Sequence, residues 1–345
     1  MGPGLKLHFA RKYGHFGNDH VTEGFPVTTS RRQFLTGLAA SGAVASLPSI
    51  ALASLRAKPL LYPPVDLSYF EKPIYHGDAE IRIGYAAITW NGKDTQAIEE
   101  ISALGYPGIQ LRANILKEFP DPHRVRDLLG EHNLAFVALS SGGAPMDPAK
   151  RQQAIDTHVK NAQYLREAGG KYLQVIGESS KNQTFSSTDY KYEGQLLTEI
   201  AKHVADYGIQ TGFHNHMGTI GQAPERVDAI LDAADPKYVK LELDVAHYVQ
   251  GGGNPAAAIR KYGPRVLFLH VKDTKPTSAP GGYEFVELGE GRVDFPAIFE
   301  ALRSIHFRGW GIVELDRERA ELSRTAKESA QISKDYLEQK VGVRI

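Results

Sequence analysis

The chain has 345 residues, 42% hydrophobic and 23% charged, which is enough apolar material for a full globular core. Lys plus Arg number 40, as do Asp plus Glu, so no overall charge draws the protein to nucleic acid or to an anionic membrane. It has no cysteine, which excludes disulfides, thiolate metal sites and a Cys nucleophile.

Residues 1–53 read as a leader rather than as fold. Ser30-Arg31-Arg32-Gln33-Phe34-Leu35 precedes a mild apolar stretch through Leu38, Ala43, Leu47 and Leu52, and Ala51-Leu52-Ala53 offers the small residues of a cleavage site. The pattern is similar to a twin-arginine export signal, which predicts a periplasmic protein exported already folded, without stable membrane insertion after cleavage. Residues 54–80 carry Pro59, Pro63, Pro64 and Pro73 without a sustained period and read as a linker or N-terminal arm.

From residue 81 to 345 short apolar runs alternate with longer segments of helical period. The runs are Ile81–Ile88, Gly108–Leu111, Ala135–Leu139, Tyr172–Ile176, Gln210–His214, Val239–Leu243, Val266–Val271 and Gly311–Leu315. Helices are predicted over Thr95–Leu104, Ala149–Ala168 and Glu318–Glu338, among others, with stop signals at Gly105, Gly169-Gly170 and Gly208. Asp294 before Phe295-Pro296 is a predicted N-cap with proline in the first turn, and Asn254 is another after Gly251-Gly252-Gly253. Eight strand–helix units in about 260 residues fit a closed α/β barrel, the (β/α)8 TIM barrel, as a single domain. An open doubly wound sheet lacks its Gly-x-Gly-x-x-Gly after the first strand.

In such barrels chemistry sits where strands end at the C-terminal rim. The fifth run ends in His214-Asn215-His216, the sixth in Asp244-Val245-Ala246-His247, the seventh in His270-Val271-Lys272-Asp273 and the eighth in Glu314-Leu315-Asp316. A lone strand-end histidine is most often a hydrogen-bonded core residue. A His, an Asp, a His and a Glu on four consecutive strands instead form a nitrogen–oxygen donor set for one divalent cation: Mn²⁺, Zn²⁺, Co²⁺ or Fe²⁺. Burying so many polar groups is costly unless a dication pairs them. Residues two apart on a strand share a side, so His214 and His216 can both face inward, as can His270 and Lys272.

At these residues the chain resembles the xylose isomerase-like barrels, the sugar phosphate isomerase/epimerase family that includes inosose dehydratases and ketose 3-epimerases. The marks are Leu243-Asp244-Val245-Ala246-His247, His270-Val271-Lys272-Asp273, Val313-Glu314 and Gly289-Glu290-Gly291-Arg292-Val293-Asp294-Phe295. The resemblance implies a metal held by His214, Asp244, His270 and Glu314, with a polyol or keto-sugar completing its coordination. His214 stands where epimerases of the family usually carry Glu, and Gln110 where many members carry Glu. The His-rich run before Met217-Gly218-Thr219 is similar instead to inosose dehydratases.

The expected chemistry is a metal-stabilised enediolate formed by loss of the proton α to a ketone. His216 is the favoured base, with Glu178 and Lys272 as further candidates for proton transfer. Trp90, His247 and Gln110 are expected to contact substrate, Trp90 lying either against a sugar's apolar face or in a core or rim packing role. The leading expectation is a lyase or dehydratase of a keto-sugar or keto-inositol. A ketose isomerase or epimerase, or an enzyme cleaving 3-keto-glycosides, shares the same first step, and a sugar-binding scaffold would have broken ligands. The expected partner is a small carbohydrate or cyclitol, and the composition is compatible with a homo-oligomer.

Overall fold

The computed structural model describes residues 79–180, 184–316 and 324–345. The leader expected over 1–53 and nearly all of the arm expected over 54–80 lie outside the described residues.

Short, doubly buried apolar runs make the eight barrel strands: β1 Glu80–Ala86, β2 Gly108–Arg112, β3 Ala135–Gly143, β4 Tyr172–Ile176, β5 Gln210–His214, β6 Val239–Asp244, β7 Val266–Val271 and, after a hairpin, β10 Arg308–Val313. They are parallel and close in the order β1-β10-β7-β6-β5-β4-β3-β2. The first strand stops at Ala86 rather than Ile88, because Ala87–Trp90 winds into a 3₁₀ turn. The last barrel strand starts earlier and ends earlier than predicted. Its Arg308-Gly309-Trp310-Gly311 segment pairs with β1 from Glu80 onward.

Helices cover the outside: α1 Asp94–Ala103, α2 Ile115–Glu118, α3 Pro122–Glu131, α4 Arg151–Glu167, α5 Ser187–Ala205, α6 Pro224–Ala233, α7 Val245–Gln250, α8 Pro255–Tyr262, α9 Phe295–Ser304 and α10 Ala326–Tyr336. Their starts follow local chemistry. Asn254 Oδ1 accepts from Ala257 N at 2.9 Å and Asp294 Oδ1 from Ala297 N at 3.0 Å, each relieving an orphan amide of the first turn. Thr325 and Glu328 form a capping box that starts α10; the predicted beginning of that helix at Glu318 lies outside the described residues.

An unpredicted antiparallel hairpin, β8 Asp273–Pro276 with β9 Tyr283–Val286, follows β7. Its base explains the glycine-rich motif that precedes α9. Asp273 is fully buried and its carboxylate accepts from the amides of Thr274, Gly289, Gly291 and Val293 at 2.8–3.1 Å. A Cβ on Gly291 would stand 2.1 Å from Asp273 Oδ1, so only glycine lets the backbone approach that closely.

Strand alternation sorts the barrel interior into tiers. The lower tier is apolar, with Val137, Tyr172, Phe268, Trp310 and Ile312 in one buried cluster and Tyr172 stacked on Phe268. Gln110, Gln174 and Glu242 are buried polar side chains of interior-facing strand positions. Nearer the C-terminal rim come His214, Asp244, His270 and Glu314. The strand register pairs His214 with Glu242 and Asp244 with His270.

Candidate metal centre at the barrel mouth

Asp244 is the last residue of β6 and the N-cap of α7. Its Oδ1 accepts from His247 N at 2.8 Å, while its backbone is clamped both ways by Asn215, N to Oδ1 at 2.9 Å and O to Nδ2 at 3.0 Å. Asn215, the residue between His214 and His216, therefore locks neighbouring strand ends together. Asp244 Oδ2 remains buried without a hydrogen-bond partner, 3.5 Å from His270 Nδ1. One donor atom each from His214, Asp244 and His270 falls within 4.8 Å of the others, and all three residues are buried. Glu314 adjoins them, its Oε1 3.4 Å from His270 Nδ1.

The charge pattern is tense. Burial lowers the His214 imidazole well below its usual range, with the neighbouring His270, His216 and Lys272 adding to the effect. Burial alone would lower His270 too, but Glu314 and Glu242 reverse this and hold it well above the ordinary imidazole value. Burial pushes the Glu242 carboxyl up to about 7 against the pull of His270. Glu314 is held below the usual carboxylate value because His270 and Lys272 outweigh its desolvation.

Lys272 is fully buried. Its ammonium lies 2.9 Å from Glu314 Oε1, 2.5 Å from Asp316 Oδ2 and 3.8 Å from Asp244 Oδ2, and it stands 4.0 Å over the Phe285 ring of the hairpin. Burial works to deprotonate it, but the three carboxylates win and raise its pKa above the ordinary lysine value. It is a fixed positive charge rather than a proton acceptor.

His216 lies just past β5, half-buried. Its Nδ1 is 2.5 Å from the Met217 carbonyl, which can only accept, so Nδ1 carries the proton and a neutral ring keeps its Nε2 lone pair free. His247 is buried, its ring 3.8 Å centre to centre from that of His216, and its Nδ1 accepts from Met217 N at 3.2 Å. Burial, then Lys272, lowers its pKa well below the usual value, so it is neutral. His214, His216 and His247 form a second close trio. His216 and Glu178 both line a cavity of about 530 Å³, which opens beside the His214–Asp244–His270 trio and shares none of its three residues. Both Glu178 oxygens accept backbone amides, from Met146 and Ser179 at 2.8 Å, so this carboxylate ties the loops after β3 and β4 together.

Two of the expected substrate contacts lie in closely packed surroundings. Trp90 is only 4% exposed, donates from Nε1 to Glu100 Oε2 at 2.7 Å and packs edge-on against Tyr85, so it is a core residue. Gln110 is buried in the lumen. Its Oε1 sits 2.9 Å from His270 Nε2, and its Nε2 donates to Gln174 Oε1 at 2.7 Å and Ser140 Oγ at 2.9 Å. Gln110 thus faces a candidate ligand from within the lumen. Sequence reasoning missed Glu242 and Asp316. Glu242 was legible as the residue two before Asp244, and therefore on the same side of β6.

A closed parallel barrel with imidazoles and carboxylates converging at its C-terminal mouth defines a TIM-barrel enzyme. The chain belongs to the xylose isomerase-like TIM barrel family, whose model matches residues 98–338. It is 26% identical over 276 residues to the rhizopine catabolism protein MocC of Rhizobium meliloti, covering 69% of this chain and 82% of that one. It is also 26% identical to an inosose dehydratase of Geobacillus kaustophilus, covering 69% and 88%. Its fold matches the crystal structure of the IOLI protein with a bound zinc atom at a TM-score of 0.64 and 20% identity, over 76% of this chain and 98% of that one.

Proposed function

We propose that this chain is a divalent-metal-dependent dehydratase of a keto-inositol or keto-sugar, with the cation held by His214, Asp244, His270 and Glu314. The observation that carries the reading is the convergence of buried donors. Asp244 Oδ2 and His270 Nδ1 are buried, face one another at 3.5 Å and have no hydrogen-bond partner. Such atoms are costly to bury unless a cation satisfies them, and two imidazoles with two carboxylates suit Zn²⁺, Mn²⁺, Co²⁺ or Fe²⁺. The similarity to inosose dehydratases, and the zinc of the IOLI protein, support the same reading.

A cation bound there supplies Lewis acidity to a ketone oxygen, which makes the neighbouring C–H acidic. His216 removes that proton at Nε2, since its Nδ1–H is committed to the Met217 carbonyl. The same imidazolium then delivers the proton to the departing β-hydroxyl, so one residue serves both transfers. Lys272 stays protonated and holds Glu314 and Asp316 in place. Glu178 keeps the loops bordering the cavity fixed, and His247 presents a neutral ring edge beside His216.

The test is incubation of metal-loaded protein in D₂O with a panel of keto-inositols and keto-sugars. Loss of water, with one solvent deuterium entering at the carbon that carried the hydroxyl as the enol product ketonises, is the expected result. Deuterium uptake with epimer formation and no dehydration moves the reading to an isomerase or epimerase, and exchange in no substrate contradicts it. The leader read at Ser30–Leu35 extends the proposal to a periplasmic enzyme. Replacing Arg31 and Arg32 by Lys would then retain the protein in the cytoplasm.

A further inference from the structure

Glu242 lies against both imidazoles of the candidate centre. Its Oε1 is 2.8 Å from His270 Nε2 and 3.3 Å from His214 Nδ1, and the carboxylate is completely buried. Among the described residues no Lys or Arg nitrogen comes within ion-pair distance of it, and these two imidazoles are the only basic groups that do. Gly212 makes the room: a Cβ there would stand 3.1 Å from Glu242 Cβ. A carboxylate whose only basic neighbours are imidazoles is not buried without reason, because its desolvation costs several kcal/mol.

A neutral imidazole has one N–H and one lone pair, and the acceptor facing one nitrogen decides which nitrogen is left for a metal. Gln110 Oε1, at 2.9 Å, already faces His270 Nε2. Glu242 stands beside the same nitrogen and reaches across to His214 Nδ1. The opposite nitrogen of His270, Nδ1, is the one turned toward Asp244 and Glu314.

We propose that Glu242 is a positioning residue of the metal centre: from beneath, it fixes the proton of His270 on Nε2 and that of His214 on Nδ1, so that the lone pairs of His270 Nδ1 and His214 Nε2 are presented to one cation. The inference rests on the metal reading above. The cation that both rings would hold would also offset the charge of a carboxylate that no Lys or Arg neutralises.

Zinc affinity, measured by competition with a chromophoric chelator, tests this without reference to turnover. Glu242→Gln keeps the shape and removes the charge, and its affinity should fall roughly 10- to 100-fold, the usual cost of losing a carboxylate behind a metal-bound histidine. Glu193→Gln, which alters another buried carboxyl on α5, should leave affinity within about twofold, because loss of a buried acid by itself is not the cause. Long-range ¹H–¹⁵N spectra of the zinc-loaded wild type decide the matter even if Glu242→Gln does not fold. They should show His270 protonated on Nε2 and His214 on Nδ1, and protons on the opposite nitrogens would overturn the assignment. Unchanged zinc affinity in Glu242→Gln overturns it while leaving the metal reading standing. A wild type with no zinc affinity removes both.

Discussion

The Lys272 ammonium, with no exposed surface, lies 2.9 Å from the carboxylate of Glu314, a proposed metal ligand. The pair sets a positive charge beside the place where a second positive charge is expected. Its energetics can be separated from catalysis. In protein stripped by a chelator, Lys272→Met leaves the buried Glu314 and the partly buried Asp316 without their cation and should cost about 3–5 kcal/mol of unfolding free energy. Urea titration measures this, and adding Zn²⁺ or Mn²⁺ should restore part of the loss as the ion takes over the charge.

His216 is expected to matter for turnover and not for metal retention. His216→Gln should lower kcat roughly a hundredfold to ten-thousandfold, the range for a lost general base. Metal content measured on the same preparation should match wild type. Joint loss of metal and activity would instead place His216 among the ligands, with His214 and His247.

A pH effect on stability is expected away from the centre. His158 is buried, its Nδ1 2.7 Å from Ser141 Oγ and its Nε2 3.1 Å from the Gly143 carbonyl. Burial lowers its pKa from 6.5 to about 4 despite the Gly143 carbonyl. A depressed folded pKa means that the unfolded chain binds the proton first. The contribution is therefore fully present above pH 6.5 and is lost as pH falls toward 4, in total about 3 kcal/mol. Denaturant titrations from pH 8 to pH 4 should show this slope, and His158→Gln should flatten it.

Glu193 should give the opposite slope. Burial, aided by Glu178, raises its carboxyl to about 8 although the Glu178 amide opposes the shift. Its folded form stays protonated while the unfolded form ionises, so stability is lost as pH rises from about 4.5 to about 8. Glu193→Gln should remove that loss and unfold at higher denaturant than wild type at pH 8.

The Asp273 nest makes a structural prediction. Asp273→Ala strands four backbone amides and should cost about 3 kcal/mol or more. Gly291→Ala drives a Cβ into the carboxylate and should lower Tm by a similar mechanism. Thermal unfolding of both variants checks it.

Much of the fold was legible because barrel strands are buried on both faces and read as unbroken apolar runs: Tyr172–Ile176, Gln210–His214 and Val266–Val271 have the bounds read from sequence. The β8–β9 hairpin was not, because its strands are four residues each and include Pro276. Rim position singled out His214, Asp244, His270 and Glu314, but position in the chain does not say whether a polar group meets solvent or a neighbour. That is why the packing of Trp90 and Gln110 was not legible, and why Glu242, set between Leu241 and Leu243, passed as part of an apolar strand. Lys272 was placed correctly as inward-facing, but its carboxylate partners come from another strand end, and only the closed barrel brings them together.

The most direct measurement is the metal content of wild type and His214→Ala after equilibrium dialysis against Zn²⁺ or Mn²⁺, read by elemental mass spectrometry. Close to one ion per chain in wild type and a clear loss in His214→Ala is the expected result. No bound ion in wild type, or a full complement retained without His214, would contradict a cation held by the strand ends.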